Sequence, residues 1–230
     1  MEFDAVILAG GRSSRLGGVP KARLVYEGST LLQRSIVAAR GARAIAVVGP
    51  DPGTLPPGVL SCREEPPFAG PAAAIAAGLA ALDRGLGAER AELTLILACD
   101  MPRAECAVRA LRSALLAAAS DVRAPAISAD GPAGGDVHPE TAATGLPTGS
   151  DGVIAVSADG RKQPLAGFYS TRVLRESAGK LEQRGALRGG SVFALLARLD
   201  LRAVTVPAGS TDDVDTWDDA SALGVSGQGS

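Results

Sequence analysis

The segment LAGGRSSRLGGVPK, residues 8–21, begins at the last residue of the mainly apolar run Phe3–Leu8. Such a run predicts a buried strand, and the glycines after it predict a tight strand-to-loop junction. Glycines let backbone N–H groups approach a phosphate chain without obstruction by a Cβ atom, and Arg12, Arg15 and Lys21 add three cations. The segment therefore predicts a loop that binds a triphosphate.

Two other phosphate-binding motifs do not fit this segment. A P-loop requires Gly-x4-Gly-Lys-Ser/Thr, and the dinucleotide fingerprint requires Gly-x-Gly-x-x-Gly, whereas Gly10 and Gly11 are adjacent here. An ATPase loop is therefore not indicated, and a Rossmann oxidoreductase is at most a weak alternative.

Further apolar runs alternate with helical patterns along the chain. Strands are predicted at 44–48, 59–62, 93–98 and 122–127, and helices at about 30–40, 71–82 and 102–119. Strands without polar alternation fit a sheet that is covered on both faces. The pattern predicts an α/β fold in one domain, residues 1–223, with a doubly wound, mainly parallel sheet.

The second half of the chain begins with a stretch rich in Gly, Pro, Thr and Asp, 128–150, which predicts a flexible insert. Strands at 152–157 and 163–169 flank an Asp-Gly turn, and we expect this hairpin to form a small antiparallel lid. A helix near 191–198, a strand near 201–206 and a helix near 216–223 follow. The Gly/Ser-rich end, 224–230, is expected to be a disordered tail.

Acidic residues form two candidate metal-binding positions. Asp100 follows the predicted strand 93–98, so its carboxylate faces the crevice in which open α/β sheets bind ligands. Asp215 lies in the acidic segment DDVDTWDD, residues 212–219. Mg²⁺ prefers one or two carboxylates together with phosphate oxygens and water. In the alternative interpretation Asp100 only caps a helix, and Asp215 or Thr216 only caps the last one.

These motifs together resemble nucleotidyltransferases that build sugar nucleotides and cofactors, and in particular the molybdenum cofactor guanylyltransferases. The superfamily signature is Leu-Ala-Gly-Gly-x-Ser-x-Arg-Met-Gly followed by Lys, with Leu16 here in place of Met. The resemblance implies a nucleotide-diphospho-sugar transferase type of Rossmann-like fold. It also implies that Lys21, Arg15 and Asp100 are the catalytic residues, and that Asp100 and Asp215 hold Mg²⁺.

The resemblance also implies which residues bind the nucleotide. They are Leu8, Ala9, Gly10, Gly11, Lys21, Glu65, Gly70 and Asp100. The segment REEPPFAGPAAA, residues 63–74, is similar to the family's acid followed by Gly-Pro-x-Ala-Gly, so Glu65 would accept from the base, with Glu64 as the alternative at this spacing. Guanylyltransferases often have Asn where this chain has Gly49, and that departure weakens the case for guanine.

The segment RKQPLAGFY, residues 161–169, is similar to the Gln-Pro-Leu-x-Gly-Leu-Tyr strand of molybdenum cofactor guanylyltransferases. By this resemblance Arg161, Lys162 and Gln163 bind the acceptor phosphate. Two basic residues at a hairpin turn are equally consistent with a solvated turn.

The implied reaction is transfer of GMP from GTP to the phosphate of molybdopterin, with release of pyrophosphate. Alternatives are CMP transfer to molybdopterin, transfer to another small phosphorylated acceptor, and a non-catalytic nucleotide-binding module. A monomer or weak homo-oligomer is expected, with molybdoenzyme-assembly proteins as further partners.

The charge balance and the N-terminus exclude other classes of function. A net charge of −2 provides no basic field for a nucleic acid. The first apolar run is too short for a membrane span and lacks the basic leader of a signal peptide. The sequence therefore predicts a cytoplasmic protein that binds neither nucleic acid nor membrane.

Overall fold

A computed structural model of the chain describes residues 1–50, 53–86, 90–123, 146 and 149–227. Within these ranges ten strands form a seven-stranded and a three-stranded sheet. In chain order the strands are β1 (Phe3–Leu8), β2 (Val25–Tyr26), β3 (Ser29–Thr30), β4 (Ile45–Val48), β5 (Val59–Cys62), β6 (Leu93–Ala98), β7 (Gly152–Val156), β8 (Lys162–Ser170), β9 (Leu201–Thr205) and β10 (Val225–Ser226).

The order of the large sheet, β5-β4-β1-β6-β8-β7-β9, puts β1 and β6 next to each other near its centre. β1 pairs in parallel with both β4 and β6. The strands that follow β1 first add on one side of it, as β4 and β5, and the strands from β6 onwards then add on the other side. Ligands of open α/β sheets bind at the carboxyl ends of the strands at such a switch point. The residues after Leu8 and Ala98 therefore lie where a ligand is expected.

Helices cover both faces of this sheet. In the described part of the chain they are α1 (Leu31–Ala38), α2 (Pro71–Leu86), α3 (Ala104–Arg123), α4 (Thr171–Gln183) and α5 (Val192–Leu196). A further helix, α6 (Trp217–Leu223), packs against the small sheet instead. Alternate residues of β1 face opposite sides: Ala5 and Ile7 pack in the cluster with α1 and α3, whereas Val6 and Leu8 pack in the cluster with α2, α4 and α5. The prediction of a doubly wound α/β sheet is confirmed.

The predicted hairpin forms, but it lies within the large sheet and not over it. β7 and β8 pair antiparallel, β8 pairs antiparallel with β6, and β7 pairs in parallel with β9. Phe168 and Tyr169, adjacent in β8, are both fully buried, one in each apolar cluster. A lid with one solvated face would expose one of these rings, so the hairpin packs between other strands.

The expected disordered tail at 224–230 is partly wrong, because its first residues are ordered in the small sheet. β10 pairs antiparallel with β2, and Val225 is 6% exposed in a third apolar cluster that includes Tyr26 and Val214. Burial of valine and backbone pairing order a segment whose composition pointed to disorder. Residues 228–230 lie outside the described part.

The predicted strand at 122–127 is wrong at its start, because α3 continues through Arg123. The Ala/Leu-rich helical pattern that was expected to stop near residue 119 continues for another turn. The rest of that range and most of the predicted insert 128–150 lie outside the described residues. Among the described helices, none combines the length and apolar character needed to cross a bilayer.

Two helical glycines differ in what surrounds them. A Cβ atom at Gly78 of α2 would lie 2.4 Å from Val6 Cγ1, whereas one at Gly179 of α4 would contact nothing within 4 Å. We expect Gly78→Ala to lower the free energy of unfolding by about 1–3 kcal/mol through overpacking. We expect Gly179→Ala to raise it by about 0.5–1 kcal/mol, since alanine has the higher helix propensity. Urea denaturation measures both, and effects of the same sign would contradict the close packing of α2 on β1.

Candidate active site

The glycine-rich loop, residues 9–21, leaves the sheet at the end of β1. The Ala9 N–H donates to the Val48 carbonyl over 2.8 Å, which continues the pairing with β4 by one residue. Gly11 and Ser13 then have φ values of 141° and 44°, in a region that favours glycine and strains a serine. The Ser13 carbonyl accepts from the N–H of Leu16, a fully buried residue. The loop is thus anchored at both its start and its middle.

Lys21 lies at the centre of the site. Its Nζ donates to Asp100 Oδ2 over 2.9 Å and to Asp215 Oδ1 over 2.5 Å. Arg15 Nη1 lies 3.8 Å from the other oxygen of Asp215, with most of its side chain exposed. The fold therefore brings together the three predicted catalytic residues and the second predicted metal ligand.

The surroundings of Lys21 determine its charge. Burial alone would lower its pKa, but the carboxylates of Asp100 and Asp215 outweigh burial and raise the pKa above its ordinary value. Opposite charges within hydrogen-bonding distance favour the charged form. The ammonium group of Lys21 is therefore a cation throughout the neutral pH range.

Asp213 joins Asp100 and Asp215, and one oxygen of each of these three carboxylates lies within 4.8 Å of the others. The Val214 N–H donates to the Asp100 carbonyl over 3.0 Å, which fastens the acidic segment to the end of β6. Partial burial raises the pKa of Asp213, and the negative charges of Asp100 and Asp215 raise it further. Sequence reasoning missed Asp213, although it lies in the acidic segment that was singled out.

The cap of α6 is Thr216, and the Asp215 side chain takes no part in it. Thr216 Oγ1 accepts from the Asp219 N–H over 3.1 Å, and Asp219 Oδ2 accepts from the Thr216 N–H over 2.8 Å. This capping box satisfies the N–H groups of Thr216 and Asp219. The Asp215 carboxylate is therefore left to Lys21 and Arg15.

Two cavities meet at the glycine-rich loop and share Gly10, Gly11, Arg12, Lys21 and Phe68 as walls. The larger, of 490 Å³, is otherwise lined by Ala9, Ser13, Gly18, Pro20 and Pro50. The smaller, of 270 Å³, extends to Leu8, Glu64, Gly70, Pro71, Ala74, Ala98, Cys99, Asp100 and Leu165. The mainly apolar walls of the smaller cavity suit a planar base, and the cations at the junction suit phosphates.

Glu64, and not Glu65, lines the smaller cavity. Glu64 is 7% exposed, and its Oε1 accepts from the Phe68 N–H over 2.9 Å. Its Oε2 is buried and has no hydrogen-bond partner among the described residues. The predicted base contact Glu65 is exposed, whereas the bond to Phe68 holds its alternative, Glu64, in the cavity wall. A buried carboxylate oxygen without a partner is costly, so it is suited to accept from a ligand.

Gly49 has a structural reason to lack a side chain. A Cβ atom at this position would lie 2.7 Å from the Ala9 carbonyl carbon and 2.9 Å from the Gly10 nitrogen. The loop thus crosses directly over the end of β4, at the position where related guanylyltransferases often have Asn. An amide side chain at position 49 is excluded unless the loop moves.

The predicted acceptor-binding residues Arg161, Lys162 and Gln163 lie at the same edge of the sheet as Asp100. β8 runs antiparallel to β6, with Leu97 opposite Ala166, so the start of β8 reaches the carboxyl end of β6. Arg161 and Lys162 are exposed and Gln163 is partly buried. Among the described residues, no hydrogen bond or ion pair links their side chains to Asp100 or Lys21.

A doubly wound sheet with a glycine-rich loop, a lysine and three carboxylates at its switch point fits the class of nucleotidyltransferases. The chain belongs to the MobA-like NTP transferase family, whose sequence profile matches residues 5–200. It is accordingly a nucleotidyltransferase.

Solved structures share this fold over nearly the full length of the chain. Rv0371c from Mycobacterium tuberculosis H37Rv is 22% identical, with a TM-score of 0.60 over 96% of each chain. Molybdopterin-guanine dinucleotide biosynthesis protein A from Archaeoglobus fulgidus is 15% identical, with a TM-score of 0.57 over 97% of this chain and 96% of that one. The 2-C-methyl-D-erythritol 4-phosphate cytidylyltransferase of Francisella tularensis is 10% identical, with a TM-score of 0.61 over 97% and 98%. No protein of curated function matches the sequence.

Proposed function

We propose that this enzyme transfers GMP from GTP to the terminal phosphate of molybdopterin and releases pyrophosphate. The observation that carries the choice of GTP is the carboxylate of Glu64, a residue that lines the smaller cavity and whose Oε2 has no hydrogen-bond partner among the described residues. Guanine presents two adjacent donors, its ring N1–H and its exocyclic amine, whereas each other common base presents one. A carboxylate accepts such donors through charge-assisted hydrogen bonds.

The choice of acceptor has two supports. The structurally similar Archaeoglobus fulgidus protein is named for molybdopterin-guanine dinucleotide biosynthesis. The segment RKQPLAGFY, residues 161–169, resembles the corresponding strand of molybdenum cofactor guanylyltransferases, and it starts at the edge of the sheet that carries Asp100. Arg161 and Lys162 provide exposed cations there for an acceptor phosphate.

The carboxylates of Asp100, Asp213 and Asp215 fit Mg²⁺, because they are hard oxygen donors within 4.8 Å of one another. Mg²⁺ at these carboxylates would neutralise phosphate charge as pyrophosphate leaves. Lys21 pairs with two of them in the free protein, and its raised pKa keeps its positive charge available to phosphate.

The reaction is an in-line displacement at the α-phosphorus of GTP. An oxygen of the acceptor phosphate forms a bond to the α-phosphorus, and the bond from the α-phosphorus to the oxygen of the β-phosphate breaks. Because a phosphate monoester is largely ionised at neutral pH, no general base is needed. Lys21, Arg15 and the N–H groups of Gly10 and Gly11 hold the triphosphate in line and stabilise its charge.

Pyrophosphate release with molybdopterin, Mg²⁺ and each of the four common ribonucleoside triphosphates tests this proposal. We expect kcat/KM to be highest with GTP. A higher value with CTP would replace it by CMP transfer to molybdopterin. Turnover with a different phosphorylated acceptor and none with molybdopterin would refute the choice of acceptor.

Glu64→Gln tests the base contact. The variant keeps an oxygen for the Phe68 N–H but replaces the free acceptor Oε2 by an NH₂ donor. We expect kcat/KM for GTP to fall about 10- to 100-fold, the equivalent of one hydrogen bond to a charged group, and the preference for GTP over CTP to shrink. The exposed neighbour provides the control, since Glu65→Gln should leave both quantities within about twofold. Equal effects of the two changes would contradict the role of Glu64.

A further inference from the structure

Arg12 differs from the other two cations of the glycine-rich loop in its contacts. Lys21 donates to Asp100 and Asp215, and Arg15 lies 3.8 Å from Asp215. Arg12 has no ion pair with a carboxylate among the described residues. Its guanidinium lies over the Phe68 ring instead, with Cζ 5.7 Å from the ring centroid. An aromatic ring leaves the charge and the hydrogen-bond donors of a guanidinium largely available to other groups.

Phe68 holds Arg12 at the junction of the two cavities. Arg12 and Phe68 line both cavities. The backbone of Phe68 is held by a hydrogen bond, in which its N–H donates to the buried Glu64. Arg63 lies over the same ring at 5.3 Å but lines neither cavity.

We propose that Arg12 binds the triphosphate of the nucleotide and that Phe68 is a positioning residue, which orients the guanidinium towards the phosphates before they arrive. This inference rests on the proposed function and adds two residues to its site. A guanidinium binds phosphate oxygens in a bidentate manner, and a group that is already oriented loses less freedom on binding. Loss of Arg12 is therefore expected to weaken the binding of a triphosphate more than that of a monophosphate, which carries less charge.

The experiment uses the full chain, Mg²⁺ and three probes: inorganic tripolyphosphate, GTP and GMP. Calorimetric titration gives the Kd of each probe. For Arg12→Ala we expect Kd to rise at least tenfold for tripolyphosphate and GTP and to stay within twofold for GMP. We expect KM for GTP to rise similarly, with kcat within threefold. Arg63→Ala is the matched control, because it removes the other arginine from the same ring. Its Kd values, KM and kcat should stay within twofold of the wild-type values.

Phe68→Leu tests the positioning role with tripolyphosphate, which has no base to contact the ring. We expect a three- to fivefold rise in Kd in the wild-type background and no further rise in the Arg12→Ala background, because the ring acts through Arg12. A purely structural effect of losing the ring would add in both backgrounds.

The outcomes separate this inference from the proposed function. Unchanged tripolyphosphate binding by Arg12→Ala, or an equal loss in Arg63→Ala, in an enzyme that still turns over GTP would overturn the assignment of Arg12 alone. A wild-type protein that turns over GTP without binding tripolyphosphate would also overturn the assignment of Arg12 alone. A wild-type protein that neither binds a triphosphate nor releases pyrophosphate would overturn both.

Discussion

Lys21→Ala is expected to lower kcat by about 10²–10³-fold, the cost of removing one preorganised charge donor from a site of charge development. Lys21 is the cation common to the two cavities and the acidic cluster, since its Nζ donates to both Asp100 and Asp215. Its raised pKa means that the lost group is a full positive charge at assay pH. Initial rates of pyrophosphate release at saturating GTP measure the effect.

Lys180→Ala is the matched control for this prediction. Lys180 is exposed on α4 and lines neither of the two cavities. Replacing Lys180 should leave kcat within about twofold of the wild-type value, because it is a surface residue away from both cavities. Both variants should keep the wild-type circular dichroism spectrum. Full activity of Lys21→Ala would refute the assignment of the site.

Asp100→Asn is expected to lower turnover about 10³-fold and to weaken divalent-ion binding. The substitution keeps the size of the side chain and one oxygen but removes the charge that attracts the cation. Charge stabilisation by a bound metal amounts to several kcal/mol, and about 4 kcal/mol corresponds to a 10³-fold change in rate. Titration of activity with Mg²⁺, and of Mn²⁺ binding by electron paramagnetic resonance, measures both effects.

Asp218→Asn is the control for metal binding. Asp218 is an exposed acid in the first turn of α6 and lies outside the cluster of three carboxylates. Its replacement should change neither the Mg²⁺ dependence nor kcat by more than about twofold. Asp213→Asn addresses the residue that sequence reasoning missed and should weaken Mn²⁺ binding. Wild-type Mn²⁺ affinity in Asp100→Asn would show that the ion binds elsewhere.

The correct predictions came from local signals in the sequence. The mainly apolar runs of β1 and β6 predicted buried central strands, and Gly10 with Gly11 predicted a loop open to phosphate. The helical pattern from about residue 30 predicted the start of α1, where the Thr30 hydroxyl accepts from the Gln33 N–H over 3.1 Å. Each of these features depends on neighbours a few residues away, so a short stretch of chain determines it.

The wrong and missing predictions concern contacts between distant parts of the chain. The hairpin signal at Asp159-Gly160 was correct, but the neighbours of the hairpin depend on β6 and β9. The burial of Val225 depends on Tyr26 and Val214, which lie elsewhere in the sequence. Tertiary packing decides the position of the hairpin and the order of the last segment. For Val225, the free energy of burying the side chain exceeds the local preference of a Gly- and Ser-rich segment for disorder.

By itself the sequence determined the α/β class and put a glycine-rich loop and Asp100 at the ends of two central strands, since residue type and local pattern specify these features. Only the tertiary structure decided that Glu64 faces the cavity, that Asp213 completes the acidic cluster and that Arg12 rests on Phe68. Neighbouring acidic residues such as Glu64 and Glu65 carry the same side chain and differ only in where that side chain points. That direction follows from which backbone N–H groups and strand ends meet in the folded chain.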